Sequence, residues 1–225
     1  MNVESRRVLS LIDHTNLRPE ARRDDIIRLC AEAKRYGFAS VCVNPYYVPL
    51  AARHLRSSQV KVCTVVGFPL GATLMEVKVY EARLALKQGA DEIDMVINLP
   101  ALKSGNYRYV LKEIRSIASV CKRHKALLKV IIECGLLSED EKRVAAELVV
   151  KAGADFVKTS TGFGPSGASV EDVRLLKRVV AGKARVKAAG GIRTLESALA
   201  MIEAGADRIG TSSGASIAEE LFRSH

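Results

Sequence analysis

The chain has 225 residues and a formal charge of +10, from 35 basic and 25 acidic side chains. Hydrophobic residues make up 48%, enough for the core of one α/β domain over 1–225, and no run is long and uncharged enough to cross a membrane. Aromatics are only 5% and no nucleic-acid motif occurs, which argues against a nucleic-acid partner, while the basic balance suits an anionic substrate.

The opening residues Met1–Arg7 are polar and no apolar stretch follows. No secretory signal is expected, and the expected compartment is the cytoplasm. Asn2 to Ser10 predicts a short extra helix. Strand candidates follow at Leu11–Ile12 (the weakest), Ser40–Val43, Lys61–Val66, Glu92–Ile97, Leu127–Ile132, Asp155–Lys158, Arg185–Ala188 and Arg208–Gly210. Helical periodicity lies between them. Asp24–Tyr36 puts Ile26, Ile27, Cys30 and Ala33 on one face, Leu74–Gln88 does so with Val77, Tyr80, Leu84 and Leu86, and Tyr107–Lys122 with Val110, Leu111, Ile114 and Ile117. Glu139–Lys151 and Val170–Val180 repeat the pattern, and Ser138, Ser169 and Thr194 stand where N-caps belong.

One phrase recurs: Lys87-Gln88-Gly89-Ala90-Asp91, Lys151-Ala152-Gly153-Ala154-Asp155 and Glu203-Ala204-Gly205-Ala206-Asp207, with a looser copy at Arg35-Tyr36-Gly37-Phe38. Each closes a helix and opens a strand, the glycine taking the left-handed position beyond the helix end. Eight alternating units without a linker predict an α/β protein, a single (β/α)8 TIM barrel. The open doubly wound alternative usually carries a GxGxxG turn after an early strand, and none follows the early strand candidates.

In a barrel the strand C-termini converge on one mouth. The polar residues there are Asp13, Asn44, Asp94, Asn98, Glu133, Lys158 and Lys187. Asp94 interrupts an apolar strand, which is costly unless it is paired; it is either a structural ion pair or a general acid/base. Lys158 and Lys187 end consecutive strands, where mutual repulsion favours one neutral, nucleophilic amine. Beside a proton-shuttling carboxylate, that pair suits Schiff-base chemistry on a carbonyl substrate. The Gly190-Gly191 and Ser212-Ser213-Gly214 turns follow strands seven and eight, a place suited to phosphate. Five scattered cysteines and four histidines show no ligand spacing, so no metal and no cofactor are expected. Another phosphosugar aldolase, an isomerase, or a barrel that binds an anion without turnover remain open readings.

Seven stretches then align in order: Ile12-Asp13-His14-Thr15, Val41-Cys42-Val43-Asn44-Pro45, Val65-Val66-Gly67-Phe68-Pro69-Leu70-Gly71, Glu92-Ile93-Asp94-Met95-Val96-Ile97-Asn98, Phe156-Val157-Lys158-Thr159-Ser160-Thr161-Gly162, Val186-Lys187-Ala188-Ala189-Gly190-Gly191-Ile192 and Gly210-Thr211-Ser212-Ser213-Gly214. Together they make the chain resemble the deoxyribose-phosphate aldolases from Leu11 to Gly214. The resemblance implies a class I aldolase that reversibly cleaves 2-deoxy-D-ribose 5-phosphate to D-glyceraldehyde 3-phosphate and acetaldehyde, in deoxyribose phosphate catabolism. It implies Lys158 as the Schiff-base lysine, Lys187 as the second lysine and Asp94 as the acid/base, with Asp13 and Thr15 in support. It places the substrate phosphate at Gly190, Gly191, Ser212 and Ser213, with Thr161 and Gly162 alongside, and it favours a homodimer. Some family members carry a tail ending in a tyrosine that aids proton transfer; the stretch Glu220 to His225 has none, and the expected consequence is for rate and substrate preference.

Overall fold

The computed structural model describes residues 3–223, so Asn2 of the predicted extra helix and the last residues, Ser224 and His225, lie outside the described residues. The elements run α1 (Val3–Leu9), β1 (Ile12–Asn16), α2 (Arg23–Tyr36), β2 (Ser40–Val43), α3 (Val48–Leu55), β3 (Lys61–Val66), α4 (Met75–Lys87), β4 (Glu92–Val96), α5 (Leu99–Lys103), α6 (Tyr107–Arg123), β5 (Leu127–Ile131), α7 (Glu139–Ala152), β6 (Phe156–Lys158), α8 (Val170–Val180), β7 (Arg185–Ala189), α9 (Leu195–Glu203), β8 (Arg208–Thr211) and α10 (Gly214–Arg223). The strands pair in parallel in chain order and β8 closes on β1, with Asp13 opposite Gly210 and His14 opposite Thr211. This is the expected TIM barrel. The weakest strand candidate is longer than its two apolar residues foretold, because the barrel supplies partners for the polar side chains of β1.

The recurring phrase has a structural reason beyond its glycine. Gly153 closes α7 at φ +77° and accepts the left-handed turn that a Cβ would strain. The aspartate two residues later then reaches back to the preceding strand. Asp91 accepts from the Val62 N–H at 2.9 Å, Asp155 from Leu128 at 2.8 Å and Asp207 from Val186 at 2.8 Å. Each copy therefore stops a helix and pins the register of a strand pair at the end of the barrel away from the mouth.

Of the four residues expected on the buried face of α4, only Leu86 is buried. Val77, Tyr80 and Leu84 are exposed, and the buried set includes Met75, Lys78, Ala82, Ala85 and Leu86. The reason is Lys78, whose ammonium lies 2.8 Å from Glu113 with both side chains wholly buried. Lys78 also donates to the Val96 carbonyl at 2.8 Å, and Glu113 accepts from the Asn98 N–H at 2.9 Å. The pair props the C-terminal end of β4 from outside. Lys78→Met leaves the Glu113 carboxylate buried without its cation, and we expect a loss on the order of 3 kcal/mol in urea unfolding.

Candidate active site

Alternate residues of each strand point into the barrel, where branched apolar side chains usually fill layers. Here the inward positions carry charge. Asp13 on β1, Glu92 and Asp94 on β4, Lys129 on β5, Lys158 on β6 and Lys187 on β7 are buried, and Arg208 on β8 is nearly so. Below them, the Arg185 guanidinium lies over the Phe156 ring at 4.0 Å.

Asp94 is the hub. Its Oδ2 is 2.8 Å from both the Lys158 and Lys187 amines, and its Oδ1 is 2.9 Å from the Lys129 amine. Burial pushes its carboxyl up, but Lys129, Lys158 and Lys187 outweigh burial and hold it well below the usual carboxylate range. Lys187 is also 2.6 Å from Asp13 Oδ2. Burial disfavours its charge, yet Asp13 and Asp94 prevail and raise it, so Lys187 stays an ammonium. β8 makes room for it with Gly210, where a Cβ would lie 2.9 Å from the Ala189 Cβ and 3.0 Å from the Lys187 Cε. Asp13 further accepts from Ser40 Oγ at 2.7 Å and from Arg208.

The sign of the Asp94 shift gives an acid-limb expectation. A carboxyl depressed in the folded state adds stability above its ordinary value of 3.8, and that stability is lost as pH falls further. The urea midpoint of the native protein should fall steeply below that value, and that of Asp94→Asn should fall less steeply over the same range.

Lys129, Glu92 and Arg208 complete the network and were not among the expected site residues. Lys129 lies 2.6 Å from Glu92, 2.9 Å from Asp94 and 3.8 Å from Asp13, and Arg208 bridges Glu92 at 2.8 Å and Asp13. Lys129 interrupts Leu127-Leu128-Lys129-Val130-Ile131 as Asp94 interrupts its own strand, a signal available in the sequence. Cys42 and Cys63 face each other across β2 and β3; with Asp94 they bring three donor atoms within 4.8 Å of one another. The cation among them is the Lys129 ammonium, 3.3 Å from Cys63 Sγ.

A cavity of about 190 Å³ opens above Lys158 and is lined by Thr15, Leu17, Thr161, Gly162, Gly190, Gly191, Arg193 and Ser212, among others. Five of the six residues expected at the phosphate thus share one space with Lys158. Ser213 lines a neighbouring cavity of about 480 Å³ with His14 and Glu32. Two of the six have spent polar groups. The Ser213 N–H donates to Thr211 Oγ1 at 2.9 Å. Thr161 is latched by Glu133, whose carboxylate accepts its N–H at 3.2 Å and its hydroxyl. Glu133 holds this position from a left-handed backbone at φ +55°, uncommon for a residue with a Cβ. Among the described residues, the N–H groups of Gly191 and Ser212, in the turns beyond β7 and β8, have no backbone or side-chain partner. Arg193, missed in the sequence, adds a cation at this rim. The Thr15 hydroxyl donates to the Asp13 carbonyl at 2.9 Å. Asn98 is not brought to the site: its side chain caps α5 and reaches Thr73. The Asn44 amide turns to the Arg18 carbonyl at 3.4 Å. Over the mouth, Phe68 and Phe163 meet edge to face at 5.3 Å.

Residues 7–220 match the family model of the DeoC/LacD family aldolases. The chain is 61% identical over 214 residues to a deoxyribose-phosphate aldolase of Thermococcus gammatolerans, covering 94% of this chain and 95% of the relative. It is 58% identical over 219 residues to one of Thermococcus kodakarensis, covering 96% and 98%. Among solved structures, the aldolase QR15 superimposes with a TM-score of 0.92 at 48% identity over 97% of both chains. A tetrameric deoxyribose phosphate aldolase from Aeropyrum pernix does so with 0.91 at 37% identity, covering 98% of this chain and 92% of that one.

Proposed function

The chain belongs to the DeoC/LacD family of aldolases, and from that premise we propose that Lys158 carries a Schiff-base cleavage of 2-deoxy-D-ribose 5-phosphate, within one barrel domain over 1–225. The enzyme is a lyase that acts on deoxyribose phosphate. The observation that carries the proposal is the Lys158–Asp94–Lys187 cluster opening into a cavity whose far wall is the Gly190-Gly191 turn.

Charge counting within the network favours Lys158 as the nucleophile. Three carboxylates (Asp13, Glu92, Asp94) face four cations (Lys129, Lys158, Lys187, Arg208). A neutral Lys158 leaves three against three. Lys187 and Lys129 each touch two or more carboxylates, whereas Lys158 touches one, already shared with two other amines. It also lines the cavity.

The neutral amine adds to C1 of the open-chain sugar, and the carbinolamine loses water to give a protonated imine. Two carbons leave as acetaldehyde and three as glyceraldehyde 3-phosphate, so the bond that breaks is C2–C3. Its electrons flow into the iminium to give an enamine, and the C3 hydroxyl proton passes to a base. Protonation of the enamine at C2 and hydrolysis release acetaldehyde and free Lys158. Asp94, held ionised, accepts and returns protons at the amine, with Lys187 as its fixed counter-cation. Asp13 positions Lys187, and Thr15 lines the cavity wall. The phosphate sits on the N–H groups of Gly191 and Ser212 at the N-terminus of α10, beside Gly190 and Gly162, with Arg193 as a cation and Thr161 and Ser213 shaping the loops. Incubation with the sugar phosphate should release glyceraldehyde 3-phosphate and acetaldehyde in equal amounts; an isomerised sugar instead would favour the isomerase reading.

The enzyme works in the cytoplasm as a homodimer. Five buried free cysteines fit a reducing compartment. Val77, Tyr80 and Leu84 share one side of α4 and are 48%, 68% and 43% exposed, an apolar face suited to a second copy. Light scattering separates dimer from tetramer.

A further inference from the structure

The Ile12-Asp13-His14-Thr15 stretch contributes Asp13 and Thr15 to the barrel interior, but His14 points the other way. It is 2% exposed, and its Nε2 lies 2.7 Å from the Glu32 carboxylate of α2. Its Nδ1 is buried without a hydrogen-bond partner among the described residues. That atom faces the turn between β8 and α10: a Cβ at Gly214 would lie 2.8 Å from it and 3.1 Å from the Phe38 ring, which itself meets the His14 ring at 5.2 Å. Gly214 is thus glycine so that the first turn of α10 can rest against an imidazole.

What rests there bears on the phosphate. Ser212 lines the Lys158 cavity, and the Ser213 N–H is tied to Thr211 Oγ1, which in turn donates to the Ile192 carbonyl at 2.6 Å. The two glycines Gly190 and Gly191 stand immediately before Ile192. One hydrogen-bonded unit therefore carries both turns, and His14 supports it from behind, paired with Thr211 across β1 and β8.

We propose that His14, clamped by Glu32, is a positioning residue for the Ser212-Ser213-Gly214 turn and so sets the enzyme's preference for a phosphorylated sugar. The proposal rests on the reading that this turn holds the phosphate. A buried ring that fixes anion-binding N–H groups contributes through their placement, and displacement of such groups by a fraction of an ångström weakens binding. The amine chemistry lies on the opposite face of β1, so it feels the ring only weakly.

The test compares 2-deoxy-D-ribose 5-phosphate with unphosphorylated 2-deoxy-D-ribose, and measures inhibition by inorganic phosphate. His14→Leu keeps the bulk and removes the contact to Glu32. It should raise KM for the phosphorylated sugar about tenfold and weaken inhibition by phosphate to match, with kcat within about twofold. The kcat/KM for the unphosphorylated sugar should change far less. His14→Gln, whose amide can reach the Glu32 carboxylate as Nε2 does, should recover part of the loss. Glu32→Ala, which removes only the clamp from a partly exposed side chain, should shift KM in the same direction and serves if His14→Leu does not fold. Equal losses on both sugars, or an unchanged KM in both His14→Leu and Glu32→Ala, would overturn the proposal. A wild-type enzyme that does not distinguish the two sugars would instead sink the phosphate reading beneath it.

Discussion

Lys158→Leu should lose aldol cleavage by about 10⁴-fold or more, because no other group can take over the nucleophile's covalent role, yet it should unfold no more easily than the native protein. The second half of that expectation follows from the charge count. Removing Lys158 takes away the one surplus cation, and Asp94 keeps Lys129 at 2.9 Å and Lys187 at 2.8 Å. The cavity above Lys158 gives the leucine space. Steady-state kinetics and a urea melt check the two halves separately. Turnover near the native rate would rule out Lys158 as the nucleophile, and a large fall in stability would mean that its charge is needed for the fold.

Lys129→Met makes the same chemical deletion one strand away and should behave oppositely. Lys129 is wholly buried and is the cation that Glu92, Asp94 and Asp13 share. Burial alone would drive off its proton, but Asp94, Cys63, Glu92 and Asp13 overcome that and hold it firmly charged. Its loss leaves three carboxylates with an incomplete set of partners inside the barrel. Breaking a buried pair in this way costs on the order of 3–5 kcal/mol, read as a shift in the urea midpoint. Asp94, freed on its Oδ1 side, should also swing away from Lys158, so kcat should fall by about 10²-fold in the protein that remains folded. A Lys129→Met variant as stable as the native protein would mean that the network is not held by its ion pairs.

This contrast also explains what could and could not be read from the sequence. Asp94, Lys158 and Lys187 were legible because each is a charge in an apolar run, which needs a partner. Lys129 sends the same signal from β5, level with Asp94, and its role shows only once the closed barrel sets Glu92 and Asp94 around it. Glu92 and Arg208 begin their strands, where charged side chains ordinarily reach water; only closure of the barrel brings them together, 116 positions apart in the chain. The face of α4 differs from its apolar periodicity because Lys78, polar by type, is buried against Glu113 while Val77, Tyr80 and Leu84 are exposed. The glycine turns point to the place proposed for the phosphate but not to its hydrogen-bond accounting. That Thr161 is taken by Glu133, and the Ser213 N–H by Thr211, depends on loop geometry that residue types alone do not determine.

The assignment of the nucleophile is tested most directly by trapping with borohydride in the presence of acetaldehyde, followed by intact mass and peptide mapping. Reduction of the imine should leave a single two-carbon adduct on Lys158. An adduct on Lys187 would reverse the roles of the two lysines, and a folded enzyme that cleaves the sugar without forming any adduct would contradict the Schiff-base mechanism itself.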